Sequence, residues 1–278
     1  MEKARKRKLG GAVYILPNLI TTGNLFFGFF SVVKALHGQY ALAAVAILIA
    51  SIFDMVDGRV ARLTGGTSEF GVQYDSLCDL ISFGFAPAML MYLTGLNTLG
   101  RVGWIIAFLY MACGALRLAR FNVQSSIGKA SGDFTGLPIP MAAAVIACFV
   151  LVWVDSKTDD GIVGWLSLNI ETYIGLPNLR VYFLLLLGVC LALAMVSNLT
   201  YRSHKAIKIK GIRPFKFLVV AVVATGFVAY SPEFFGFLFF FFYGLSGLIE
   251  WALGWKKPID DSDIFEDHPD EDVDHHAK

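Results

Sequence analysis

The sequence predicts an all-α polytopic membrane protein with about eight transmembrane helices, and three observations carry that prediction. Of 278 residues, 56% are hydrophobic and only 16% charged, against roughly 25% charged in an ordinary soluble domain. Mean hydropathy is +0.63. Uncharged stretches such as 42–53 and 181–197 suit hydrocarbon, where every backbone polar group has to be satisfied inside its own helix. A soluble single core is excluded.

Sliding a window of about 19 residues along the chain places spans at 15–36, 40–57, 75–95, 102–119, 138–155, 180–199, 217–231 and 234–254. The first follows Lys3, Arg5, Lys6, Arg7 and Lys8, a cluster like the head of a signal peptide. The apolar run behind it is long and no small-residue cleavage site follows, so it reads as a retained span. The seventh is short, and Ser231-Pro232-Glu233 is so brief a break that a re-entrant hairpin is the alternative there. Cys78, Cys113, Cys148 and Cys190 stand singly in apolar runs, a spacing that suggests buried thiols rather than zinc or disulfides.

Charge supplies a test independent of hydropathy. The net +1 hides an asymmetry, because nine of the 22 acids fall within 260–274, leaving 22 bases against 13 acids in residues 1–257. With the N-terminus inside, cytoplasmic segments hold 19 of the 23 Lys and Arg residues, and the outer loops hold only Arg101, Lys157 and Arg180, with Lys34 at a span end. That bias puts both termini in the cytoplasm and predicts an integral protein of the cell (inner) membrane. The basic loop 201–216 reads as topological marking, with anionic headgroups as the alternative ligand. The acidic tail 256–278 is expected to be disordered, since it cannot bury a core.

Charged residues in membrane spans are rare and expensive, so four aspartates at two span ends call for a function. Asp54 and Asp57 close the second span at i, i+3; Asp75 and Asp79 open the third at i, i+4. Each pair therefore shares a helix face. Four neighbouring carboxylates repel one another unless a hard divalent cation neutralises them. Gly58, Gly65, Gly66 and Gly71, with Arg59 and Arg62, lie between the pairs, and small residues beside positive charge suit a diphosphate. Two metals on such carboxylates form the clamp used in in-line phosphoryl displacement. The competing reading is that the acids only pair with Arg59, Arg62, Arg117 and Arg120 at the membrane surface.

The residues spell Asp54-x-x-Asp57-Gly58-x-x-Ala61-Arg62, then eight residues, then Gly71-x-x-x-Asp75-x-x-x-Asp79. This resembles the complete signature of the CDP-alcohol phosphotransferases. Leu16-Pro17-Asn18 with Thr21 and Asn24 resembles the family's N-terminal segment. Within the family, Asp79-Leu80-Ile81-Ser82-Phe83-Gly84-x-Ala86-Pro87, Leu116-Arg117-x-Ala119-Arg120-Phe121-Asn122 and Gly136-Leu137-Pro138-x-Pro140 are similar to the serine-using synthases of the integral-membrane type. The resemblance implies a six-helix catalytic core within 15–200, preceded by a basic segment 1–14 and followed by the loop 201–216, two added spans in 217–255 and the tail.

It further implies transfer of the phosphatidyl group from CDP-diacylglycerol to the hydroxyl of L-serine, with release of CMP, on a two-metal site holding Mg2+ or Mn2+. Asp54, Asp57, Asp75 and Asp79 carry over as metal ligands, with Asp79 also as general base. Asn18, Thr21, Asp57, Gly58, Ala61, Arg62 and Gly71 carry over to the CDP-diacylglycerol site. Ser82, Arg117, Arg120, Asn122 and Lys129 are the candidates for serine. Partners are the two substrates and the bilayer, with a homodimer left open and nucleic acid excluded. A sister transferase with another alcohol (glycerol phosphate, inositol phosphate or choline) would keep the metal site and change only the acceptor pocket. A transporter would ask for midplane charges and broken-helix repeats, and neither is evident. The phospholipase-like synthases use a paired HxKxxxxD motif, of which only His276-Ala277-Lys278 matches the first three positions.

Overall fold

The structure, a computed structural model, describes residues 2–64, 68–126, 134–155, 178–201 and 231–252. The described residues form helices, with short turns and one two-residue β pair among them. In order they are α1 (Glu2–Leu36), α2 (Tyr40–Thr64), α3 (Glu69–Asp79), a π-helical segment (Leu80–Phe85), α4 (Ala86–Thr94), a 3-10 turn (Leu96–Leu99), α5 (Arg101–Ser126), β1 (Phe134–Thr135), α6 (Ile139–Asp155), α7 (Leu179–Val196), β2 (Thr200–Tyr201) and α8 (Pro232–Ala252). Among the described residues, five stretches are long and apolar enough to cross a membrane: Ile15–Leu36, Tyr40–Thr64, Glu69–Thr94, Arg101–Ser125 and Leu179–Val196. A shorter apolar helix covers Ile139–Val154, and α8 lies on the expected last span. The expected seventh span falls almost wholly outside the described residues, as do all but the first residue of the basic loop and the whole of the tail.

Helix ends and span ends do not coincide. The backbone of α1 runs unbroken from Glu2 to Leu36, through the basic segment and the first span. The second and third spans do not stop and start at the aspartates either. α2 continues about two turns past Asp57 to Thr64, carrying Arg59 and Arg62 on the helix rather than in a loop. α3 begins at Glu69, where Ser68 accepts the Gly71 amide at 2.9 Å as an N-cap. Hydropathy marks where a helix leaves hydrocarbon, whereas the cap marks where it ends.

Packing follows from small residues. α1 packs against α2, α3 and α4, α2 against α6, α5 against α7, and α6 against α8. The inward face of α1 carries Thr21, Asn24, Gly28, Ser31 and Ala35, spaced by threes and fours so that they form one stripe, and all are buried. Its outward face shows Leu19, Phe26 and Phe29, apolar surface suited to lipid. Deep in the bundle, Ile47, Leu90, Met91, Ile146, Leu184 and Met195 are fully enclosed.

The π segment bends the third span directly after Asp79. Within it the bonding slips to i→i−5, as in Ala86 N–H to the Ile81 carbonyl. Pro87 cannot donate a backbone bond. The Phe83 carbonyl, four residues before it, instead accepts the hydroxyl of fully buried Tyr110 at 3.1 Å. Ser82 donates from its Oγ to the Asn24 carbonyl of α1 at 3.0 Å. That approach needs Gly28, since a Cβ there would lie 2.3 Å from Ser82 Oγ and 2.7 Å from Ser82 Cα.

Gly28→Ala should therefore part α1 from the π segment, because a backbone atom cannot yield as a side-chain tip can. Overpacking of this kind costs about 1–3 kcal/mol, read as a lower Tm of the detergent-solubilised protein. An unchanged Tm would show that the two helices separate freely.

Candidate active site

The four aspartates meet where the last turns of α2 face α3. Carboxylate oxygens of Asp54, Asp57 and Asp75 lie within 4.8 Å of one another. Asp57 is only 4% exposed, and its Oδ2, like Oδ1 of Asp75, is buried with no hydrogen-bond partner. Each pair of like charges at that separation repels by about 3.5 kcal/mol at an effective dielectric near 20. No ion pair relieves them among the described residues. An all-oxygen cluster with orphaned lone pairs and no ion pair among the described residues fits a hard divalent cation.

Asp79 stands one turn further along α3, outside that group of three. It is buried, and its Oδ1 accepts the side-chain amide of Asn24 at 2.9 Å. Thr21 lies beside Asp57, with its hydroxyl on the Pro17 carbonyl at 3.1 Å. Asn18 lies against Gly71, 3.4 Å from where a Cβ on that glycine would stand. On α2, Arg62 folds back so that Nε donates to the Gly58 carbonyl at 2.8 Å. A Cβ on Gly58 would meet only the Arg62 guanidinium, at 3.9 Å. The described fold thus does not itself require glycine there, and the space above it is open to a ligand. Ala61 follows one turn later on the same helix.

The expected serine contacts separate into distinct roles. Arg117 is buried, close to Asp79 and Asp54, with Nε unpartnered and Cζ 6.0 Å from the Phe121 ring centroid. Asn122 donates from Nδ2 to Ser76 Oγ at 2.9 Å, next to Asp75 in sequence. The fully buried hydroxyl of Ser82 donates to the α1 backbone.

Arg120 reaches the end of α7. Nη1 donates to the Val196 carbonyl (3.1 Å) and Asn198 Oδ1 (3.0 Å), and Nη2 to the carbonyls of Met195 (3.3 Å) and Ser197 (3.1 Å). A helix leaves its last four carbonyls without intrahelical donors, and here the remaining two are also taken. Leu193 accepts the Ser197 amide at 3.0 Å and Ala194 the Leu137 amide at 3.0 Å. Gly136, at φ +75°, closes the same knot, because a Cβ would stand 2.4 Å from the Met195 carbonyl oxygen. Lys129 lies outside the described residues.

Arginine and serine positions in the motifs thus carry no mark of which are bonded to neighbouring helices. The residue whose part in the site the motifs left unassigned is Asn24. A buried amide three residues after Thr21 on an otherwise apolar span is the signal that points to it.

Residues 14–177 match the CDP-alcohol phosphatidyltransferase family. The CDP-diacylglycerol–serine O-phosphatidyltransferase of Helicobacter pylori strain 26695 is 34% identical over 247 residues, covering 89% of this chain and 95% of that protein. Archaetidylserine synthase of Methanothermobacter thermautotrophicus is 42% identical over 138 residues, 49% of this chain and 58% of its own. The CDP-diacylglycerol–serine O-phosphatidyltransferase of Bacillus subtilis strain 168 is 36% identical over 137 residues, 49% and 74% respectively. The chain belongs to the CDP-alcohol phosphatidyltransferase family, whose members depend on a divalent metal.

Replacing Arg120 by Lys should loosen the end of α7, since one ammonium cannot reproduce a planar fork that reaches four acceptors. Bonds to a charged donor contribute about 1.5–3 kcal/mol each, so a clear drop in Tm is expected while the requirement for the alcohol acceptor stays unchanged. A raised acceptor requirement with normal stability would return Arg120 to the substrate site.

Proposed function

We propose that this chain transfers the phosphatidyl group of CDP-diacylglycerol to the hydroxyl of L-serine, giving phosphatidylserine and CMP. The observation that carries the chemistry is the group of three carboxylates within 4.8 Å with Asp79 one turn away. The serine acceptor is supported by the names of the relatives and by the buried cation Arg117 near Asp79.

Asp54, Asp57 and Asp75 would hold the divalent ions, Mg2+ or Mn2+, with Asp79 within reach of a second one. Bound there, the metal neutralises the diphosphate and polarises the phosphoryl oxygens. Gly58 and Ala61 leave room for the cytidine, Arg62 is placed to turn from the Gly58 carbonyl to a phosphate, and Asn18, Thr21 and Gly71 border the nucleotide side. Asp79 takes the proton of the serine hydroxyl as the serine oxygen forms its bond to the phosphorus that carries diacylglycerol. The bond from that phosphorus to the CMP oxygen breaks, and CMP leaves with the electron pair. A hydroxyl of such high pKa needs a positioned base. Arg117 holds the serine carboxylate through a guanidinium with Nε free for it. The distribution of Lys and Arg supports a site facing the cytoplasm, with the acyl chains in the bilayer.

The direct test is turnover by the purified protein with CDP-diacylglycerol, metal and each candidate alcohol in turn. Phosphatidylserine formation is expected, and a preference for glycerol phosphate, inositol phosphate or choline would reassign the acceptor. Asp79→Asn should cut turnover to a slow residual rate yet leave metal-dependent CDP binding intact, because the amide keeps the shape but cannot take a proton. Asp54→Ala or Asp57→Ala should remove that binding in calorimetry; undiminished binding in either counts against the ligand role.

Arg117→Lys keeps the charge but loses the fork. Loss of one charge-assisted bond, about 1.5–3 kcal/mol, corresponds to a roughly tenfold to hundredfold higher serine requirement at unchanged affinity for CDP-diacylglycerol. A serine titration at saturating lipid substrate measures it, and an unaltered requirement moves the acceptor site elsewhere.

A further inference from the structure

Asn24 is fully buried on the inward stripe of α1, and its side chain has one hydrogen bond among the described residues: Nδ2 to Oδ1 of Asp79, at 2.9 Å. Its own Oδ1 is buried without a partner. An amide placed for packing alone would cost desolvation on the unpaired oxygen and gain little. Two further contacts fix where that amide stands. Ser82, three residues beyond Asp79, donates to the Asn24 backbone carbonyl at 3.0 Å, and Gly28 admits that approach. The segment from Asp79 to Ser82 therefore grips Asn24 at its side chain and its backbone together. A carboxylate on a single Cβ–Cγ bond otherwise rotates broadly.

We infer that Asn24 is a positioning residue for the transfer reaction: it holds Oδ1 of Asp79 so that the second carboxylate oxygen, Oδ2, is the one presented to the acceptor hydroxyl. The inference rests on the reading of Asp79 as the general base. Oδ2 has no hydrogen-bond partner among the described residues, as an oxygen kept for a transferred proton requires. The Asn24 amide thus occupies Oδ1 as an acceptor and leaves Oδ2 as the open oxygen.

The test uses the full-length protein in detergent with CDP-diacylglycerol, serine and magnesium or manganese. Asn24→Leu, of similar volume, should lower kcat by about 10²-fold, the usual cost of a misplaced catalytic group. KM for CDP-diacylglycerol and metal-dependent CDP binding should stay near the parent values. Against the slow residual rate of Asp79→Asn, the same substitution should change turnover by less than about twofold, because no base remains to be held.

A kcat within about twofold of the parent, with Asp79→Asn strongly impaired, overturns the positioning role and leaves the base assignment standing. Full activity in Asp79→Asn sinks the base assignment and this inference with it. Loss of CDP binding in Asn24→Leu, or equal factors in both backgrounds, makes Asn24 a structural residue and also overturns the inference. Should Asn24→Leu fail to fold, Asn24→Ser, whose hydroxyl is too short to reach the carboxylate, is measured by the same three readouts.

Discussion

Everything around the active site is arranged to hold like charges together. Asp54, Asp57 and Asp75 sit within 4.8 Å without a described ion pair, so helix packing has to supply the force that keeps α2 and α3 at that distance. It does so through α1, which packs on both. Its small inward stripe lets both approach, and its polar members reach the site at Thr21 and Asn24. The bundle thus resists its own charge by packing, and a cation held there would tie α2 to α3.

Much of this was legible in the sequence, for identifiable reasons. The i, i+3 and i, i+4 spacings put each pair of aspartates on one helical face whatever the tertiary structure, so periodicity alone was enough to align the members of each pair. Polytopic helical architecture followed from composition in the same way. Helix ends were less legible: α2 passes Arg59 and Arg62, where hydropathy falls but helix propensity does not.

The different surroundings of Arg117 and Arg120 were not legible at all. Both occupy one motif on one helix, and what separates them is the end of α7, about 75 residues downstream, whose carbonyls meet Arg120 and leave Arg117 alone. Ser82 shows the same limit. A hydroxyl in a span reads as a ligand contact until a neighbouring backbone carbonyl is seen to accept it.

The π segment has a consequence for how this chain tolerates length changes. An extra residue in each hydrogen-bonded ring acts as a phase shifter, turning the face that carries Asp75 and Asp79 relative to the face that buries Leu90 and Met91. Removing one residue from Leu80–Phe85 would let ordinary α-helix run straight through, and either the carboxylates or the core would then point the wrong way. The third span therefore works like a crankshaft, its two throws set at different angles. It can exchange side chains far more readily than it can change its residue count.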